Sequence, residues 1–345
     1  MPGSKNVLLV IVDALRYDYA EAPEKMPFLA SWGTHFHNHF STSHCTDPAV
    51  TCLLFGKHPD ELKLYSMMYG DKAYNIDPDV QPIMRFARDN DYWTSIITNL
   101  GRWYHRGVLM PYNSRGWSSE QIFKKAYETI HHFADAWLMV VHTDAMHTVY
   151  EGGSYDAAAA ITDECIEQLV KTCVGANTLC IITSDHGEGL GQAGPDGVPI
   201  EQHGYGLWDF ITHVPFITNA ELVQADPKWV TDPGRIYDLM RDAVLGMNGL
   251  HFEPGHEVYQ AGATPKVFHR GVVDGNRHFI RATTKDGHEY HRVGYYDHET
   301  DDEVWVAMEL SLAEHCASHS IEYGEMDFYE QEIVERLKGL GYWPE

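Results

Sequence analysis

The sequence predicts an α/β fold, with a mostly parallel sheet between helices and a small antiparallel subdomain at the C-terminal end. Five short apolar runs of strand length alternate with segments that have helical periodicity. Runs that are apolar throughout indicate strands covered on both faces, as in a parallel sheet between two helical layers. Sheets of this class bind ligands beyond the carboxyl ends of their strands. The polar residues that follow each run are therefore the candidates for a functional site.

The first predicted strand is the run VLLVIV from Val7 to Val12, which is rich in β-branched residues and leucine. Four later runs are similarly short and apolar. These further predicted strands are Trp93–Thr98, Ala136–Thr143, Thr178–Ser184 and Val214–Thr218. The helices predicted around them span Gln81–Asp89, Ser119–Phe133, Tyr155–Cys173 and Arg235–Leu245.

The sequence changes character at about Lys266, where alternating apolar and polar residues surround two Asp-Gly pairs. The pairs Asp274-Gly275 and Asp286-Gly287 are typical of hairpin turns, so this region predicts antiparallel strands. An amphipathic helix is expected near Glu325–Leu340. The predicted organisation is a catalytic domain of residues 1–265 followed by a subdomain of residues 266–345, whose closing helix packs on its hairpins.

Charge and hydropathy narrow the expected partners. Asp and Glu number 50 against 25 Lys and Arg, which gives a formal charge of −25. Such a surface repels nucleic acid phosphates and anionic membranes, so neither is expected as a partner. The run Val7–Val12 is too short to span a bilayer and lacks the flanks of a secretion signal, so we expect a cytoplasmic protein. The six cysteines are expected to be free thiols, and the sequence leaves the oligomeric state open.

Ligand-type side chains follow four of the predicted strands. A single aspartate in such a position is more often a helix cap than a ligand. Several carboxylates and imidazoles that meet at one sheet edge, however, provide the donors that a divalent cation needs. The residues concerned are Asp13, Asn99, Asp144 with His147, and Asp185 with His186.

Four segments resemble, in the correct order, the successive motifs of the alkaline phosphatase superfamily in its sulfatase-like branch. They are NVLLVIVDALRYD, TDPAVTCLLFGKHP, TSDHGEGLG and QHGYGLWDFITHVPFI. Two further segments, HTDAMHTVY and YYDHETDDE, are similar to an internal motif and to the C-terminal hairpin of that branch. The resemblance covers nearly the whole chain and implies an alkaline-phosphatase-like fold and ester hydrolysis.

The resemblance also identifies the nucleophile. Sulfatases of this branch convert the first residue of a Cys/Ser-x-Pro-x-Arg pattern to formylglycine. Here Pro48 sets the register, so Thr46 stands at the modified position and Val50 at the arginine. Threonine cannot become formylglycine, and the chain is in this respect similar to members that use an unmodified hydroxyl. A thiolate at Cys45 is the alternative, which nearby carboxylates would disfavour by raising the pKa of the thiol.

The resemblance further implies one or two divalent ions, with Zn²⁺ or Mn²⁺ as first choice and Mg²⁺ or Ca²⁺ as alternatives. Asp13, Thr46, Asp185 and His186 would surround the first ion. Two-metal members bind the second ion through an Asp-x-x-x-His pair and a later histidine. The matching residues here are Asp144, His147 and His203, with the first two only three positions apart. In single-metal relatives such histidines bind substrate oxygens and protonate the leaving group.

Asn99 and Arg16 are the predicted substrate-binding residues. Asn99 matches a residue that contacts a nonbridging oxygen in relatives, but it could equally be a turn residue. Arg16 and Arg102 could neutralise phosphoryl charge or pair with carboxylates. The predicted function is a metal-dependent phosphatase or phosphodiesterase that acts on a small-molecule ester through a phosphothreonine at Thr46. The alternatives are a sulfatase or promiscuous sulfate and phosphonate esterase, a transferase to an alcohol acceptor, and a noncatalytic binding protein.

Overall fold

The computed structural model describes residues 5–65, 76–77, 79–100, 108–114, 116–133, 135–147, 152–194, 199–204, 206–220, 226–247, 257–263, 268–274, 277–284, 287–294 and 302–319. The strands, β1 to β15 in chain order, are Asn6–Val12, Thr34–His35, Asn38–His39, Trp93–Thr98, Met110–Asn113, Trp137–Thr143, Thr178–Thr183, Gln192–Ala193, Pro199–Ile200, Phe216–Thr218, Val230–Thr231, Val258–Ala263, Phe268–Val273, Arg277–Thr284 and Gly287–Gly294. The helices, α1 to α9, are Tyr17–Ala20, Thr46–Phe55, Pro59–Leu62, Ile83–Asp89, Ser119–Ile130, Tyr155–Cys173, Asp209–Thr212, Pro233–Val244 and Asp302–Ser318.

The central sheet has seven strands in the order β2-β10-β7-β1-β6-β4-β5. Strand β1 pairs in parallel with β6 on one side and with β7 on the other, and β4 extends the parallel sheet beyond β6. Strand β10 joins the opposite side in the antiparallel direction. The predicted α/β class with a mostly parallel sheet is therefore confirmed.

Strand β1 is buried on both faces, which explains why it is apolar at every position from Val7 onward. Val7, Leu9 and Ile11 face one hydrophobic core, and the residues between them face a second core on the other side of the sheet. Helices cover both faces, since α2 and α8 contribute to the first core and α5 and α6 to the second. Full burial of this strand fixes the position of the residue that follows it.

Helix α6 has the bounds predicted for it, Tyr155–Cys173, and begins at the N-cap Ser154, whose side chain accepts a hydrogen bond from the Ala157 amide. Helix α2, Thr46–Phe55, was not among the predicted helices. All ten of its residues are buried, so it lacks the polar face that reveals an amphipathic helix in a sequence.

The C-terminal sheet is antiparallel, in the order β12-β13-β14-β15. The pairs β13-β14 and β14-β15 flank the two predicted Asp-Gly turns in sequence, as expected for hairpins. It begins at Val258, before residue 266, and the division of the chain into two domains stays a prediction. Helix α9 was not predicted; its Met308 and Leu312 pack on β13 and β14. The helix expected near Glu325–Leu340 lies outside the described residues. Among the helices that the structure describes, none is both long and apolar enough to cross a bilayer.

Candidate active site

The carboxyl ends of three adjacent parallel strands bring the predicted residues together. Asp13 follows β1, the segment with Asp144 and His147 follows β6, and Asp185 with His186 follows β7. Because β1 lies between β6 and β7 in register, these side chains meet at one edge of the sheet. The convergence expected from the sequence is present in the structure.

Asp13, Asp185 and His186 form the first group of potential ligands, which we call the inner cluster. Their ligand atoms all lie within 4.8 Å of one another, and each residue is fully buried. The hydroxyl oxygen of Thr46 is 3.3 Å from Asp13 Oδ2 and 3.3 Å from His186 Nε2. The four residues predicted to surround one ion therefore stand together.

Local hydrogen bonds orient the inner cluster for cation binding. His186 Nδ1 donates to the carbonyl of Gly187 at 2.8 Å, which leaves the lone pair of Nε2 directed at Asp13 and Thr46. Asp185 Oδ1 accepts the His186 amide at 2.9 Å, whereas its Oδ2 is buried with no hydrogen-bond partner among the described residues. Two carboxylates, an imidazole nitrogen and a hydroxyl fit a divalent cation, and such a cation would satisfy that unpartnered oxygen.

Thr46 is the first residue of α2, and its neighbour Cys45 is the N-cap. The thiol of Cys45 is buried, and its pKa is raised well above the ordinary value by burial and by the charge of Asp47. A thiol that stays protonated is a weak nucleophile. The geometry therefore favours the hydroxyl of Thr46 over the sulfur of Cys45.

His147, His186 and His203 form a second group, which we call the histidine cluster, with ligand atoms within 4.8 Å of one another. His147 Nε2 also lies 2.5 Å from Asp13 Oδ1. Burial opposes protonation of His147, but the charge of Asp13 outweighs it and raises the pKa of the imidazole to about 9. Burial likewise opposes ionisation of Asp13, yet its histidine neighbours, His147 foremost, hold the pKa of that carboxyl well below its usual range.

Glu188 is a buried residue of this site that the sequence pattern did not single out. Its Oε2 lies 3.0 Å from His203 Nδ1, so this carboxylate fixes the orientation of the imidazole. A carboxylate that fixes the ring of a potential metal ligand is a common feature of metal sites. The segment TSDHGEGLG contained the residue, but a glutamate between two glycines carries no pattern of its own.

Asp144 belongs to neither group of potential ligands within the described residues. It forms a reciprocal pair with Asn99, whose side-chain amide donates to the carboxylate and whose oxygen accepts the Asp144 amide at 3.2 Å. Burial and the charge of Asp13 raise the pKa of Asp144. The second-ion set predicted from the sequence is thus only partly assembled, because His147 and His203 meet with His186 rather than with Asp144.

A cleft of about 550 Å³ opens beside the histidine cluster. Asn99, Asp144 and His147 line it on the side of the sheet, and Trp117 and the N-terminal part of α6 line it elsewhere. The cleft is large enough for the alcohol part of a small ester.

Arg16 is engaged by protein groups. Its guanidinium pairs with Asp18 at 2.7 Å and donates to the Glu188 carbonyl at 3.2 Å. These contacts favour the ion-pair interpretation, and a role in substrate binding stays a prediction. Arg102 lies outside the described residues.

A family model described as Sulfatase matches residues 5–226 of the chain. No curated protein sequence matches it. Solved structures with a similar fold include a 2-O GAG sulfatase, with a TM-score of 0.74 and 11% identity over 93% of this chain and 94% of that one. A protein solved in complex with its substrate D-glucosamine-2-N,6-O-disulfate has a TM-score of 0.68 and 12% identity, over 92% of this chain and 98% of that one. A phosphonate monoester hydrolase from Silicibacter pomeroyi has a TM-score of 0.66 and 12% identity, over 91% of this chain and 94% of that one.

Proposed function

This chain belongs to the sulfatase family, and from that membership we propose that it is a metal-dependent phosphoester hydrolase with Thr46 as its nucleophile. The observation that carries the proposal is the position of the Thr46 hydroxyl, 3.3 Å from both Asp13 Oδ2 and His186 Nε2. An alcohol held among buried carboxylates and an imidazole is suited to become an alkoxide only where a cation stabilises its charge.

Asp13, Asp185, His186 and Thr46 would hold the first ion, for which Zn²⁺ or Mn²⁺ is our first choice. When bound, such an ion lowers the pKa of a neighbouring hydroxyl and neutralises negative charge on the ester oxygens. His147 and His203 would either bind a second ion with His186 or bind the phosphoryl oxygens directly. The raised pKa of His147 suits it to donate a hydrogen bond to an anionic oxygen.

The proposed reaction has two displacements at phosphorus. Thr46 Oγ1 forms a bond to phosphorus while the bond from phosphorus to the alcohol oxygen breaks, and the alcohol leaves with a proton. Water then displaces Thr46 from the phosphothreonine and regenerates its hydroxyl. Two inversions give net retention of configuration, and catalysis comes mainly from charge stabilisation and positioning.

Threonine at the modified position is the reason to prefer phosphate over sulfate esters, because it cannot supply the aldehyde that sulfatases use. The second candidate is a sulfatase or promiscuous sulfate and phosphonate esterase. The similarity to a 2-O GAG sulfatase and to a phosphonate monoester hydrolase supports it. A transferase to an alcohol acceptor is the third. The expected substrate is a small-molecule ester in the cytoplasm.

The test compares kcat/KM for nitrophenyl phosphate, bis-nitrophenyl phosphate and nitrophenyl sulfate with metal-loaded protein. We expect one of the two phosphate esters to be the best substrate. A preference for the sulfate would overturn the proposal in favour of the second candidate. Release of nitrophenol that depends on an added alcohol would identify the transferase.

A further inference from the structure

The C-terminal sheet contacts the segment that leads to the proposed nucleophile. Its edge strand β12 lies beside residues 41–44, which immediately precede Cys45 and Thr46. The Ala261 amide donates to the Thr42 carbonyl at 2.9 Å, and the side-chain amide of Gln260 donates to the Ser41 carbonyl at 2.9 Å. The latter bond is buried, so β12 is fixed against this segment by backbone and side-chain hydrogen bonds.

His44 lies at the point where this segment meets both β12 and the site. Its side chain is buried, and neither ring nitrogen has a hydrogen-bond partner among the described residues. Its carbonyl accepts the amide of Gly204, the residue after His203, at 3.1 Å. The imidazole is also edge-on to His269 of β13, with 6.3 Å between ring centroids. His44 therefore lies in the segment of residues 41–44 that leads to Thr46, which we call the nucleophile segment, and it contacts both Gly204 beside His203 and the C-terminal sheet.

Gly262 of β12 leaves the space that the His44 ring occupies. A Cβ at position 262 would fall 1.7 Å from His44 Cδ2 and 2.0 Å from His44 Nε2. Real Cβ atoms essentially never come closer than 3.0 Å to another heavy atom, so any side chain at position 262 must displace the ring. The ring itself sits in a close-packed region in which movement is transmitted to its neighbours.

We propose that strand β12 positions Thr46, through the contact between Gly262 and the ring of His44. His44 is then a positioning residue, two positions before the first residue of α2. Gly262 is required because it has no Cβ that would overlap the His44 ring. The proposal rests on the proposed function in one respect, the assignment of Thr46 as nucleophile. A displacement of about 1 Å at a reacting group can cost roughly a hundredfold in rate.

A double-mutant cycle on the full chain tests this contact. Gly262→Ala should lower kcat by roughly a hundredfold, with KM within about threefold of the wild-type value, since the nucleophile moves while the cleft remains. His44→Ala should lower kcat by about tenfold, because the segment before Thr46 loses the ring that packs against β12. In the His44→Ala background the glycine substitution should change kcat by less than about twofold, because no ring remains to be displaced. Bound metal, measured in parallel, should stay at the wild-type value for both single variants. Tm should fall in both, because Gly262→Ala overpacks a buried region and His44→Ala leaves a cavity there.

Gly175→Ala is the matched control, because a Cβ at Gly175 would meet nothing within 4 Å, and its kcat should equal that of the wild type. Wild-type kcat in Gly262→Ala, or additive effects in the cycle, would overturn the positioning role. If Gly262→Ala fails to fold, the double variant tests the proposal instead. It should fold, because the ring is absent, and its kcat should equal that of His44→Ala; a different kcat or a failure to fold would overturn the positioning role. Thr46→Ala, assayed alongside, separates the two proposals: full turnover in that variant rejects the nucleophile, whatever the cycle shows.

Discussion

The carboxylate of Glu188 holds the imidazole of His203, with 3.0 Å between Oε2 and Nδ1. Glu188 also accepts the Gly189 amide at 3.0 Å, so its orientation is fixed from within its own segment. The charge of this buried carboxylate thereby orients the ring of His203, which is a member of the histidine cluster. Such an arrangement predicts that Glu188 contributes to activity without contacting the substrate.

Glu188→Gln should lower metal affinity or kcat/KM by about tenfold to a hundredfold, because the neutral amide orients the His203 ring less firmly. Titration of the metal-free protein and steady-state kinetics measure the two quantities. Glu164→Gln, on the exposed face of α6, is the control and should match the wild type. Equal metal affinity and kinetics in both variants would show that His203 needs no support from Glu188.

Thr46→Ala should abolish turnover and leave the fold intact, because the substitution removes the attacking oxygen and little volume. Thr46→Ser retains the hydroxyl and should keep most of the activity. Activity of the alanine variant within about tenfold of the wild type, a difference in activation free energy of about 1.4 kcal/mol, would remove Thr46 from the mechanism.

Removal of metal should abolish activity and lower Tm, because the buried Oδ2 of Asp185 then has no hydrogen-bond partner among the described residues. A ligand at about a hundred times its Kd adds about 2.7 kcal/mol to the free energy of unfolding. Thermal unfolding with a chelator and with added Zn²⁺ or Mn²⁺ measures the difference. Turnover that persists after complete metal removal, checked by elemental analysis, would contradict a metal-dependent mechanism.

Asp144→Asn tests whether Asp144 is a metal ligand. Because Asp144 pairs with Asn99 and lies outside both groups of ligands, we expect the variant to retain the metal stoichiometry of the wild type. Elemental analysis of the two proteins, supported by anomalous scattering to count the ions, gives the answer. Loss of one ion per chain would assign Asp144 as a ligand, as the sequence resemblance implied.

Asp60 joins the C-terminal region to the α/β part of the chain. Its Oδ2 accepts from Arg270 at 2.6 Å and from His315 at 2.9 Å. Asp60, His58 and His315 are close enough to hold an ion. Both ring nitrogens of His58, however, are already hydrogen-bonded, to the Tyr259 carbonyl at 2.8 Å and the Asp60 amide at 3.2 Å. The Arg270 guanidinium therefore supplies the positive charge here, and we expect no metal at this position.

Asp60→Asn should destabilise the fold by about 3–5 kcal/mol, since it leaves the buried Arg270 charge without a counter-ion. Burial opposes ionisation of Asp60, but the bonds from His315 and Arg270 outweigh it and hold the pKa of that carboxyl well below its ordinary value. The wild-type advantage should be complete above the pKa of an unfolded aspartate, about 3.9, and should be lost as pH falls further. Urea unfolding of both proteins at several pH values measures it, and a difference that grew on acidification would contradict the assignment.

The sequence was sufficient to predict the strands that are buried on both faces, because full burial leaves an uninterrupted apolar run. It did not reveal β5, whose residues are alternately half-buried and exposed and include Pro111 at the edge of the sheet. Helix α2 was not predicted for the opposite reason, since burial on every side removes the polar face by which an amphipathic helix is recognised. In both cases the missing information was the tertiary environment rather than local propensity.

The site was predictable where parallel strands force their carboxyl ends together, as for Asp13, Asp185 and His186. It was not predictable where support comes from distant backbone atoms. The bond from the Ala261 amide to the Thr42 carbonyl involves no side chain, so no pattern of residue types records it. The clearance at Gly262 is likewise invisible in a sequence, because glycines also occur in strands at bulges and at sharp bends.

The bond between Ala261 and Thr42 has a consequence for biosynthesis. A nascent chain that has emerged only as far as His203 contains every candidate ligand and the candidate nucleophile. It still lacks β12, the strand that is hydrogen-bonded to the nucleophile segment. If the contact with β12 is required for activity, ester cleavage cannot begin while residues 257–263 are still inside the exit tunnel of the ribosome. Catalytic activity would then appear only after the C-terminal part of the polypeptide has emerged from the ribosome.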